Sequence, residues 1–449
     1  MNESKIIKIL IGLFLILVVF GGFMVWQQSW FSLLWPSQFT QEGNILTNLS
    51  FLSGIAGFNQ EKTYLLLFQN NLELRPGGGY LGNFGILKIK NGQIISFEVH
   101  DTNIFDGFSK IKTEPPQPIK NYLGIDNWQM RDANWSPDFP TSAKQAEYFY
   151  HLQGGQEEFD GVIGVNASVL PDLLELIGPI YLKEFDLNFT KDNALYQLEY
   201  EIEKGYVQRN IEAGERKTVF KKLVNEVLEK LKQKNLWQWR QLKDLVIKEL
   251  EEKNIILYFK DPDIQKEILR LNWTGKINEE FDGDYLMLVE ANLGAKKSNF
   301  FIKREIEYHI DLNGQKPQAE LQIKYYHQGK ENDWFNDDYK AFLRIYVPKG
   351  SWFIKEEDAN NETNFSEEFN KTIFGRWIEI KTGQTKIIKY KYTLPETIKK
   401  EKNYKILIQK QAGVHELPFE ITLKDAGGQN FKIKKTIKKD WEGIAFLKR

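Results

Sequence analysis

The chain has 449 residues, enough for two or three domains with separate cores. Its 60 basic and 61 acidic residues nearly cancel, which excludes the basic footprint of a nucleic-acid binder. It has no cysteine, so disulfides, thiolate metal sites and cysteine nucleophiles are excluded too.

Residues 9–26 form an uncharged apolar run. About eighteen residues at roughly 1.5 Å rise each just span a bilayer core. Lys5 and Lys8 precede the run and no Lys or Arg follows until Lys62. That asymmetry predicts a single-pass anchor in the cell membrane, with a short cytoplasmic N-terminus and an extracytoplasmic body. A cleaved signal peptide is the competing reading. The run is long for one, no small-x-small site follows it, and Trp26, Trp30 and Trp35 resemble an interfacial belt. Residues 1–27 are therefore read as cytoplasmic tail plus anchor, and residues 28–60 as a stalk.

Residues 61–298 alternate strand and helix signals, which predicts an α/β domain with a mixed sheet and flanking helices. The run YLLLFQ at 64–69 has the length of a strand buried on both faces. Two strand-like runs meet at Asn91-Gly92, the strongest short hairpin signal. Helices are expected over 143–152 and 168–177, the second capped by Ser168 and stopped by Gly178-Pro179. Others follow over 216–233 and 236–252, and one starts at Asp261-Pro262. The run 285–290 reads as the last strand of this domain.

Residues 299–449 change pattern. Seven or so short alternating runs without helices predict an all-β, immunoglobulin-like antiparallel sandwich. The Lys-rich tail after Ile433 reads as frayed. The 14% aromatic content fits a β-rich core before it fits sugar stacking, and sequons such as the one at Asn134 are read as chance.

Four clusters carry chemistry. Asn70, Arg75, Gly77 and Gly78 lie just past the first buried strand, where open α/β sheets bind ligands. Successive glycines let backbone amides approach an anion, and Arg75 can fork onto a phosphate; a plain glycine-rich turn stands at even odds. His100 and Asp101 end another strand, as an acid/base pair or metal ligands, or as ordinary loop starters. Arg131, Asp132, Asn134 and Asp138 share one proline-braced loop, read as functional, although Asp138 also suits a helix cap. Arg209, Arg216 and Lys217 surround a helix start, where an anion would offset cations opposing the helix dipole; a solvated basic face is the alternative.

The strings YLLLFQNNLELRPGGG, RDANWSPDFPTSA and FDGVIGVNASVLPDLLELIGPI resemble the bacterial envelope family known as domain of unknown function 4012, over roughly residues 60–300. That family implies no activity. The order of pieces also resembles, more distantly, the LytR-CpsA-Psr family, anchored enzymes that move glycopolymers from polyprenyl-pyrophosphate carriers onto peptidoglycan. The likeness runs through LLLFQNN to Arg75, through Glu98 to Asp101, through the FDGVIGV unit, and from Ala194-Leu195 to the Arg216-Lys217 helix. There are departures: Tyr80-Leu81-Gly82 replaces an Arg-Ser-Asp, His100 replaces an Arg, and Glu199 or Glu201 lies where another Arg is expected.

What the resemblance implies is a LytR-CpsA-Psr-like fold and a magnesium-assisted transfer. Arg75, Gly77, Gly78, Arg209, Arg216 and Lys217 would grip the phosphates. Asp101, Arg131 and Asp132 would be catalytic, and Asp101 and Asp132 would hold magnesium. Asn70, His100, Asn134 and Asp138 would line the site, and an apolar slot around 169–177 and 219–231 would take the polyprenyl tail. The alternative is a non-catalytic envelope binding or scaffold protein whose sandwich contacts glycan or a partner. An exported hydrolase is a third reading, without a recognisable carboxylate pair.

Overall fold

The computed structural model describes residues 50–108, 111–232, 236–356, 363–400 and 403–446. The apolar run at 9–26 and most of the stalk lie outside them. Among the described residues, no helix is long and apolar enough to cross a membrane. The chain forms two compact units.

The first unit gathers the described residues up to Gln69 with Leu81–Ile111 and Phe139–Gly275. Its main strands are β1 (Lys62–Asn70), β2 (Tyr80–Lys90), β3 (Gln93–Asp101), β4 (Gly161–Asn166) and, after a small hairpin of β5 (Ile180–Leu182) and β6 (Leu187–Phe189), β7 (Ile255–Phe259). They form a mixed sheet in the order β3-β2-β1-β4-β7. β1 and β4 pair in parallel, and β4 and β7 antiparallel. The YLLLF run puts β1 at the centre, where both faces are covered. Asn91 and Gly92 both adopt positive φ, the conformation a two-residue hairpin turn requires.

Helices α1 (Phe139–Leu152), α2 (Val169–Ile177), α3 (Thr218–Lys232), α4 (Leu236–Glu251) and α5 (Pro262–Arg270) accompany this sheet. Asp261 caps α5 by accepting from the amides of Asp263 and Ile264. Helix α1 starts four residues earlier than expected, because Pro140 suits a first turn. Ser168 donates to Asn254 (3.4 Å) instead of capping α2. Leu174, Ile177, Val219, Leu223, Val227 and Leu231, expected to line a polyprenyl slot, are buried against one another in one apolar cluster.

The second unit gathers Asn70–Tyr80, Lys112–Asp138 and the chain from Lys276. One six-stranded sheet holds β8 (Asp284–Asn292), β11 (Tyr339–Pro348), β13 (Asn364–Glu368), β14 (Lys371–Ile380), β16 (Asn403–Ile408) and β19 (Trp441–Phe446). The other holds β9 (Ile302–Asp311), β10 (Gln318–His327), β12 (Trp352–Glu356), β15 (Thr385–Thr393), β17 (Leu417–Lys424) and β18 (Asn430–Ile437). Both contribute to a single core that includes Leu286, Tyr308, Leu321, Leu343, Phe374 and Tyr390.

Three expectations need correction. β8 does not close the α/β sheet: it pairs with β11 and, in parallel, with β16, so the last segment of this unit starts near residue 276 rather than 299, and Asn70–Tyr80 and Lys112–Asp138, expected in the α/β domain, belong to it as well. Among the described residues the sandwich has twelve strands instead of about seven, and β17–β9 is a second parallel pair, so it is not purely antiparallel. The Lys-rich tail is ordered as β18 and β19, because Phe431, Ile437 and Trp441 pack on the core.

Candidate functional site

In the second unit, Arg75 is 2% exposed. Its Nε donates to Asp132 Oδ1 (2.9 Å), Nη2 to Glu73 Oε1 (3.0 Å) and Nη1 to the Asn292 carbonyl (2.5 Å). Lys297 Nζ stands 3.7 Å from the other Glu73 oxygen, so two cations meet two carboxylates. Burial opposes the Arg75 charge, but Asp132 and Glu73 outweigh it and hold its pKa above the usual range.

The glycines beside it serve close backbone packing. The Gly77 amide donates to the Asn134 carbonyl and the Gly78 amide to that of Arg75. A Cβ on Gly77 would sit 2.9 Å from Asn134 Cβ, and one on Gly79 would sit 2.4 Å from the Asn70 carbonyl carbon. Asn134 returns a side-chain bond to the Gly79 carbonyl (2.6 Å). Asn70 Oδ1 accepts from the Leu72 amide, opening the turn as an Asx element. Asp138 accepts from the Ile277 amide (3.0 Å), and Arg131 donates to Gln129 (2.7 Å). The structure therefore joins the first and third sequence clusters, as an internal knot.

The second and fourth clusters meet in the first unit. Asp101, at the end of β3, accepts from the Asn103 amide and lies 2.9 Å from Lys217 Nζ. Lys217 also donates to the Gly82 carbonyl (2.7 Å). Burial pushes its pKa down, with Asp101 opposing that and Arg216 adding to it. His100 stacks on Phe84, and burial pushes its pKa down, against Glu98. Arg216 reaches Glu203 (3.3 Å), and Arg209 grips Glu201 through Nε (2.8 Å) and Nη2 (3.4 Å). A Cβ on Gly205 would collide with the Glu201 carboxylate at 2.3 Å, so this glycine makes room for the pair.

Sequence reasoning missed the partners more than the principals. Glu73, Glu203, Asn292 and Lys297 stand outside the candidate set, and Glu201 enters only as a departure from a family pattern. The ELR order offered a signal for Glu73, since residues two apart on extended backbone share a side.

The residues present do not fit a magnesium ion. Asp101 faces an ammonium nitrogen and Asp132 a guanidinium nitrogen, each at 2.9 Å, where a hard cation needs several free oxygens. Among the described residues, neither belongs to a trio of grouped ligand atoms.

The YLLLFQ strand, the RPGGG turn and the NWSPDFP loop all fall in one matched stretch. Residues 59–202 match the model of a family described as protein of unknown function (DUF4012). No curated protein matches the chain. Among solved structures, a Legionella pneumophila protein described as nutrient binding aligns at 8% identity with a TM-score of 0.21, over 31% of this chain. This chain spans about half of that protein's length (54%). The Lin1025 protein from Listeria innocua aligns at 12% identity and a TM-score of 0.26, over 47% of this chain and 78% of its own.

Proposed function

We propose that this chain is a membrane-anchored, extracytoplasmic envelope protein that acts as a binding or scaffold module and not as a glycopolymer transferase. The observation that carries this reading is the state of its cations. Arg75, Arg209, Arg216 and Lys217, the residues that would grip a pyrophosphate, each already meet a protein carboxylate. Displacing an enclosed carboxylate, such as Asp132 at Arg75 or Glu201 at Arg209, costs several kcal/mol. The β-rich unit supports the binding reading: Trp352 is 76% exposed on β12, and Phe365 is exposed on β13. The sequence order that resembles the LytR-CpsA-Psr family supports the anchored envelope setting, with lipid-linked glycan or peptidoglycan nearby.

The test is a titration of the full-length chain, in detergent, with polyprenyl pyrophosphate and magnesium. The expected result is no saturable binding at high micromolar ligand. Saturable binding that Arg216→Ala or Lys217→Ala weakens would overturn the proposal and restore the transferase.

A further inference from the structure

In the second unit, the two ends of the sandwich carry opposite charge. One sheet runs from β13 to β19 and the other from β12 to β18. The Phe353 and Phe365 rings meet at 5.6 Å, which places β12 and β13 at one end. An apolar slot lined by Phe431, Ile433, Trp441 and Ile444 lies between β18 and β19 at the other. Among the described residues, each of these four strands has a hydrogen-bonded neighbour on one side only.

β13 carries Glu367 and Glu368 and no cation, and the sequence joining it to β12 adds Glu357, Asp358 and Glu362. β18 carries Lys432, Lys434 and Lys435 and no acid, and Lys438 and Lys439 follow before Asp440. Facing sheets lie about 10 Å apart, about one Debye length at 0.1 M salt, so charge on either edge strand acts across its whole end. Ion pairs do not use these charges up. Lys432 meets Glu420 at 2.6 Å, Lys438 meets Glu416 at 3.8 Å and Lys349 meets Glu367 at 3.8 Å, each lysine side chain more than half exposed. Such pairs add little to stability, so giving them up costs little. Glu368 is the exception, held by Arg344 and the Tyr346 hydroxyl.

Lysines on an edge strand ordinarily keep the like edges of two copies apart. Here they oppose contact between two basic ends and match the acidic end of another copy. A copy placed head to tail sets β12 beside β18 and β13 beside β19, which continues both sheets at once. Exposed Trp352, Ile354 and Phe365 at the acidic end then meet exposed Ile433 and Ile444 at the basic one.

We propose that the second unit binds a second copy of this chain head to tail, its end at β18 and β19 seated on the partner's end at β12 and β13. The two patches differ, so copies add in series, as a ring or a filament. This goes beyond the scaffold reading by naming a partner, and its test is independent of the polyprenyl pyrophosphate titration.

The experiment is sedimentation velocity of the full-length chain in a non-ionic detergent at low salt, over rising concentration. Wild type is expected to form dimers and longer species that shift toward monomer in about 1 M salt, where the screening length falls to about 3 Å. Lys434→Glu with Lys435→Glu, and separately Ser366→Lys with Glu367→Lys, are each expected to leave monomers. All four positions are exposed, so the changes spare the core. An equimolar mixture of the two variants is expected to associate again, since each keeps the end that the other lacks. Wild type that stays monomeric at every concentration, oligomers that neither variant disrupts, or a mixture that does not associate would overturn the proposal.

Discussion

In the β-rich unit Glu290 is fully enclosed, accepting two bonds from Arg304 at 2.8 Å and others from the Tyr325 and Tyr339 hydroxyls. In the α/β unit Arg216 and Glu203 form a pair of the same chemical type, with side chains 29% and 35% exposed. The difference teaches that charge identity says little about role until burial is known. Enclosed charges must have partners and become structural, whereas half-exposed pairs stay in exchange with water and add little to stability.

The comparison breaks first at Glu290. Glu290→Ala leaves Arg304 charged without its carboxylate and the Tyr325 and Tyr339 hydroxyls without their acceptor, and is expected to cost the β-rich unit about 3–5 kcal/mol in urea unfolding. A loss below about 1 kcal/mol would mean that enclosure does not govern these charges.

Asp284 sharpens the comparison through pH. Burial pushes its carboxyl up to about 6, although Tyr308, Tyr404 and the Tyr285 amide all donate to it. A raised folded pKa means that the folded state holds the proton more tightly. Its contribution is complete below about pH 4, and is lost as pH rises through about 6. The lost amount is about 3 kcal/mol for a shift of about two units. Asp284→Asn should flatten this decline in thermal melts taken from pH 4 to 8. An unchanged slope would contradict the assignment.

The smallest effect belongs to the half-exposed pair. Arg216→Ala is expected to change stability by about 0–1 kcal/mol and to show salt dependence. A loss comparable to that at Glu290 would erase the distinction between the units.

Local structure was largely legible in the chain. The YLLLFQ run lies within β1, Asn91-Gly92 turns the β2–β3 hairpin, and Asp261-Pro262 opens α5. Strand partnership was not. The run from Tyr285 to Val289 in β8 is apolar, which fits the middle of either sheet, and the partners of β8 lie at 341–346 and 406–408. Local periodicity carries no information about pairing at such separations. The site shows the same limit. Arg75 and Asp132 stood out as unusual residues, but an Arg and an Asp in loops read equally as a phosphate site or an internal ion pair. Enclosure decides between these, and enclosure depends on Asn292 and Lys297, more than two hundred residues later in the chain than Arg75.

The most direct measurement is a double-mutant cycle between Arg75 and Asp132, read on urea unfolding of the full-length chain. The account predicts that Arg75→Met and Asp132→Leu each destabilise by about 3–5 kcal/mol, and that the double variant recovers about 2 kcal/mol or more of their sum. Additive losses, or wild-type stability in Arg75→Met, would contradict it and return Arg75 to the role of a ligand-gripping cation.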